Sequence, residues 1–161
     1  MMEVVLATAK ALLFAMWIGA NQPGSAPLTS NQLEAARDIA VACLAYGVDP
    51  LVGVSVGWQE SKLHQSMRGT KGEIGVMQIY WRGKGYAVND PSELYVQKHN
   101  AREGCARLRA WKTHKKLEVR LHYVAHYNGG SSITDKPAAT HYEEAVLQRV
   151  LRWLKSTKKV S

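Results

Sequence analysis

The feature that most constrains this chain is the run Leu51 to Glu60, which carries no charge until its last position. Asp49 and Pro50 stand directly before it as an N-cap and a proline at the first helical position, and Gly47 ends whatever precedes. The valines at 52, 54 and 56 also suit a strand, but the cap signals select a helix. A helix that is apolar on every side must be buried, so other elements have to surround it.

The rest of the chain offers such elements. Leu28 and Leu33 flank the capping box Thr29-Ser30-Asn31-Gln32, after which Leu33, Ala36, Ala40, Cys43 and Leu44 recur at helical spacing until Gly47. Ala101, Gly104, Cys105, Leu108 and Trp111 form another apolar stripe, with Lys98, Arg102, Arg109, Lys112 and Lys116 on the far side. A further helix carries Leu117, Leu121, Val124 and Ala125 and ends at Asn128-Gly129-Gly130. The last is predicted to start at the box Thr140-His141-Tyr142-Glu143 and to run through Val146, Val150, Trp153 and Leu154 into a basic tail. Leu63 to Gly85 reads as loop with a short β-hairpin around Gly72 to Ile79, and Asp90-Pro91 opens a turn or short helix. With 161 residues in all, this predicts one mainly α domain over residues 27–161, large enough for a single core.

Residues 1–26 read differently. Val4 to Ala20 is almost continuously apolar apart from Lys10, and Asn21 to Pro27 is a breaker rich in small residues. That pattern fits a signal peptide, an uncleaved membrane anchor, or a helix buried in the domain or packed on a partner. Cys43 and Cys105 have no metal-ligand spacing, and both a disulfide and two buried thiols remain open. The sequence gives no sign of a metal or other cofactor.

Charge narrows the partners. The chain has 21 Lys and Arg against 13 Asp and Glu, a net +8, so it expects a polyanionic partner: nucleic acid, an anionic membrane or a bacterial wall. The basic run Lys98 to Arg120 lies opposite an apolar stripe and lacks aromatic residues interleaved for base stacking, which argues against specific nucleic-acid binding.

Glu60 is the informative residue. A carboxyl that closes an apolar helix is desolvated and faces the negative end of the helix dipole, and both effects raise its pKa. A carboxylic acid still protonated near neutrality is what protonation of a glycosidic oxygen requires. Glu60-Ser61, Gly72, Gly75-Val76-Met77-Gln78, Asn100 with Gly104 and Leu108, Ala125-His126-Tyr127-Asn128-Gly129-Gly130, and Tyr142 with Val146 follow in order. This series resembles the ordered motifs of soluble lytic transglycosylases and goose-type lysozymes, over roughly Leu33 to Val150.

The resemblance implies a lysozyme-like α domain around a sugar-binding groove, with Glu60 as catalytic acid and then base. It implies a binding side made of Ser61, Thr70, Gly75, Met77, Gln78, Tyr127, Asn128 and Tyr142. Ser61 would hold the backbone, Gly75 would permit close chain approach, Met77 and Gln78 would line the groove, Tyr127 would approach the acid, and Tyr142 would border the cleft. Helical spacing from Leu117, Leu121 and Val124 also turns the Asn128 amide inward. The substrate implied is the peptidoglycan glycan strand, cleaved between N-acetylmuramic acid and N-acetylglucosamine by an exported, monomeric enzyme of the periplasm or cell envelope, or one delivered by a phage.

Two positions depart from the family. Gly69 replaces the usual serine nine residues after the acid, leaving only Thr70 to supply a hydroxyl. Glu73 replaces a small residue, and as a second carboxylate it would make the enzyme a hydrolysing muramidase; a solvated glutamate paired with Lys71 is the plainer alternative. His126 stands where alanine is common, near the expected acid or in the cleft wall.

Overall fold

The computed structural model describes residues 1–21, 26–114, 123–130 and 137–158. These form a mainly α protein, as the cap and stripe pattern predicts. Its helices are α1 (Met2–Ala20), α2 (Ser30–Ala45), α3 (Pro50–Ser61), α4 (Gln97–Lys112), α5 (Tyr123–Gly129) and α6 (Pro137–Lys158), with a 3₁₀ segment at Pro91–Tyr95.

The apolar run is α3, and every residue from Leu51 to Trp58 is buried. Asp49 caps it by accepting from the Leu51 N–H at 2.8 Å. Two glycines one turn apart admit α2: a Cβ on Gly57 would stand 2.6 Å from Ile39 Cδ1, and one on Gly53 would meet Ile39 and the sulfur of Cys43. That sulfur is bonded to Cys105, so a disulfide clamps α2 to α4 and closes the question the cysteines left open. On the opposite side α6 lies along α3, where the buried Ser55 hydroxyl donates to Val146 O at 2.9 Å.

Thr29 and Gln32 make the expected capping box at the start of α2. Asp90 and Glu93 make another before the 3₁₀ segment. The start of α6 is a correction, for it begins at Pro137 and places Thr140 inside the helix. Proline needs no N–H partner and has its φ already set for a first helical turn, so Pro137-Ala138-Ala139 carries the helix back past the serviceable box. Of the helix expected from Leu117, the first part lies outside the described residues.

The expected hairpin shrinks to isolated bridges, Ile74 with Ile79 and Arg68 with Ile74. Ile74 and Ile79 exchange both backbone hydrogen bonds, but Gly75 (φ +79°) and Gln78 (φ +46°) turn the chain too tightly between them for a ladder to continue.

The N-terminal helix joins the core. Ala11, Phe14, Ala15 and Ile18 are fully buried, and Phe14 packs against Trp153 of α6 at 5.4 Å between ring centres. A cavity of about 390 Å³ lies between Ala7 and Lys10 of this helix on one side and Leu44 and Gly47 to Leu51 on the other.

Candidate active site

Glu60 occupies the last turn of α3, which ends as Lys62 takes a left-handed conformation at φ 55°. From α6 the buried Tyr142 reaches across and donates its hydroxyl to Glu60 Oε1 at 2.5 Å, the length of a strong charge-assisted bond. Burial raises the Glu60 carboxyl from 4.5 to about 7; the Tyr142 bond opposes this and the charge of Glu73 adds to it. Desolvation therefore acts as expected, but the second contribution comes from another carboxylate across the site.

Two phenols stay neutral around this acid. Burial and the neighbouring Glu60 charge push both Tyr142 and Tyr127 well above the ordinary tyrosine value. Tyr127, from α5, donates to Met77 O at 2.8 Å and so ties the 74–78 turn to the helical body. Both tyrosines thus lie beside Glu60, Tyr142 in direct contact.

The turn itself is held from beneath by Asn100 of α4. This fully buried amide accepts from Met77 N at 2.9 Å and donates to Ile74 O at 2.8 Å and Leu94 O at 3.0 Å. Gly75 makes that approach feasible, since a Cβ there would stand 2.7 Å from Asn100 Cγ. Ser61 completes the frame by donating to Val76 O at 2.8 Å.

Several expected binding residues take other places. Ser61 keeps the backbone-holding role the resemblance implied: it is buried, with its hydroxyl donating to Gly57 O and Val76 O, and meets no solute. Met77 is a correction: its side chain is fully buried against Gly104, where a Cβ would lie 2.7 Å from it, so it fills the core because no wider residue faces it. Asn128 is a second correction. It is exposed, since α5 is leaving the packed layer one turn beyond the buried Val124 and Ala125. Gln78 is half-buried and donates to Gly75 O at 2.9 Å, while Thr70 is exposed. His126 is buried, stacked on Trp111 at 4.9 Å and donating from Nδ1 to Gly130 O at 2.7 Å, which closes the end of α5.

Gly69 and Glu73 belong together. A Cβ on Gly69 would lie 2.7 Å from Glu73 Cδ and 2.9 Å from Gln78 Oε1, so the missing side chain is the space that the Glu73 carboxylate uses. Lys71 fixes that carboxylate through its backbone N–H at 3.0 Å. The site therefore combines a protonatable carboxyl with a second carboxylate close enough to influence it, a combination suited to acid–base chemistry. Among the described residues no group of three His, Cys, Asp or Glu is placed to hold a metal ion.

Sequence reasoning missed two supports. Glu103, fully buried, accepts from Tyr86 N at 2.8 Å, Ala87 N at 2.7 Å and Arg107 Nε at 2.7 Å; its one sequence signal is the arginine four residues on. Arg149, half-buried, clamps α6 to α3 through Ser55 Oγ at 3.2 Å and Gln59 Oε1. No family model matches this chain, and no curated protein or solved structure does either.

Proposed function

We propose that this protein cleaves peptidoglycan glycan strands as a lytic transglycosylase on a lysozyme-like α domain, with Glu60 as its single general acid and base. The observation that carries the reading is the Glu60 carboxyl, raised to about 7 by burial and gripped by Tyr142 where α3, α6 and the 67–78 loop meet. Near neutral pH such a carboxyl is available as an acid in one step and as a base in the next.

Protonated Glu60 gives its proton to the oxygen linking N-acetylmuramic acid to N-acetylglucosamine, and the glycosidic bond breaks as the N-acetyl group stabilises the cationic sugar. The Glu60 carboxylate then takes the proton of the muramyl 6-hydroxyl, whose oxygen bonds to the anomeric carbon. The 1,6-anhydro product forms without water, and Glu60 regains its proton. Tyr142 holds the carboxyl in place, and Tyr127 fixes the loop opposite. Of the expected binding residues, the exposed Thr70 and Asn128 and the half-buried Gln78 keep polar groups available to saccharide.

A second reading is hydrolysis, with Glu73 directing a water to the anomeric carbon. The electrostatic reach of Glu73 to Glu60, and the Gly69 gap that accommodates it, favour this alternative. The proposed setting is the exported cell envelope. An apolar N-terminal helix and a disulfide both suit it, and the exposed Lys98, Arg102, Arg109 and Lys112 of α4 would hold the enzyme to an anionic wall.

Digestion of purified peptidoglycan followed by mass spectrometry tests both readings. Transglycosylation gives anhydro-muramic ends and hydrolysis gives reducing ends one water heavier. Glu60→Gln should abolish either product while the helical circular dichroism is kept; substantial cleavage by that variant would sink the assignment.

A further inference from the structure

The inner face of α1 is accounted for by the core, but its outer face is not. Met2, Leu6, Ala9, Leu13, Met16 and Ala20 recur at steps of four and three, so at 3.6 residues per turn they form one stripe along the whole helix. All six are exposed: Leu6 is 70%, Leu13 60% and Met16 53% accessible. Ala11, Phe14, Ala15 and Ile18 lie on the opposite side and are buried. The two charged residues of the helix, Glu3 and Lys10, fall near the border between the faces, and neither interrupts the stripe.

A helix with both faces apolar, one of them already seated in a folded domain, needs a second apolar environment for the other. The charge around it selects which. Lys10 lies over the ring of Trp153, and Arg152 and Lys155 project from the same stretch of α6 as exposed cations. The chain as a whole is +8, so a second copy brought against this face would add like charge, whereas an anionic surface would gain from it. By length and apolarity α1 also suits lipid, with a mean hydropathy of 1.6 over its best 18-residue window.

We propose that α1 is retained as a helix of the folded protein and that its outer stripe lies in the surface of an anionic lipid bilayer, in the plane of the headgroups. The inner residues keep the domain attached while Leu6, Leu13 and Met16 enter the acyl boundary, and the neighbouring cations of α6 meet lipid phosphate. The enzyme would then work from the membrane surface. This inference concerns attachment and stands whether or not Glu60 is catalytic.

The test uses the full-length chain and flotation with vesicles of phosphatidylethanolamine and phosphatidylglycerol, against vesicles of phosphatidylcholine alone. Binding to the anionic vesicles is expected, and a triple variant Leu6→Gln, Leu13→Gln, Met16→Gln should bind at least about tenfold more weakly, with unchanged circular dichroism and melting temperature. Wild-type protein that stays in solution, or a triple variant that floats as well as wild type, would overturn the proposal. So would light scattering that shows a dimer reduced to a monomer by the triple variant, since the stripe would then join two copies. Intact mass of protein recovered from an exporting cell should include Met2 to Ala20; loss of that segment would overturn the retention of α1. None of these measurements involves substrate, so their failure leaves the catalytic reading untouched.

Discussion

Replacing Glu60 by glutamine should do more than stop catalysis: above pH 7 it should make the protein more stable. In the folded chain the Glu60 carboxyl is raised from 4.5 to about 7, mainly by burial. The folded state therefore holds a proton that the unfolded state has already released. That contribution is complete below about pH 4.5, declines through the interval and is lost as the pH passes 7. A shift of this size corresponds to about 3 kcal/mol at 1.36 kcal/mol per unit. Glutamine cannot ionise, yet its carbonyl can still accept the Tyr142 hydroxyl, so the variant escapes the loss without losing the contact. Urea titrations of both proteins at matched ionic strength should give a stability difference that is small at pH 4 and grows to about 3 kcal/mol in favour of the variant at pH 8. Taking the difference between the two proteins cancels the titrating groups that do not interact with Glu60. A difference that stays constant from pH 4 to pH 8, or a variant less stable at pH 8, would refute the claim that this carboxyl is held protonated by its surroundings.

Tyr142→Phe removes a hydrogen bond that lowers the Glu60 pKa, so the alkaline limb of kcat/KM should move to higher pH; Glu73→Gln removes a charge that raises it, so the limb should move the other way. Shifts in the same direction would count against this site geometry. Phe14→Ala in α1 should cost about 3–5 kcal/mol because the ring is fully buried, whereas Leu13→Ala on the exposed side should change stability by less than about 0.5 kcal/mol. Equal effects in chemical denaturation would mean that α1 is not docked as described. Reduction of the Cys43–Cys105 bond, whose partners are 62 residues apart, should lower stability by about 4 kcal/mol and the melting temperature by about 10 °C, and an unchanged melting curve would deny the bond its structural role.

How much of this could be read in advance depended on the range over which each feature is set. Asp49-Pro50 and Thr29 with Gln32 fix helix starts through contacts a few residues long, and those starts stand. Thr140 failed on the same scale because Pro137 offered an earlier start, a competition between two local signals. Met77 and Asn128 failed for a different reason. Whether a methionine lines a groove or fills a core depends on Gly104, 27 positions away, and whether an asparagine at a helix end faces inward depends on where the packed layer stops.

By itself the sequence determined that one apolar helix must be buried, that cationic faces lie opposite apolar ones, and that a carboxyl ends the buried helix. Periodicity and capping act through neighbours along the chain, so they are written there in full. Only the tertiary structure decided what that carboxyl meets. Tyr142 is 82 positions from Glu60, Glu73 acts on it from a loop given room by Gly69, and the N-terminal helix α1 has one face in the core and an exposed apolar stripe on the other. Such pairings depend on how helices cross and how closely their backbones approach, and the pKa of a buried acid depends on all of its neighbours together.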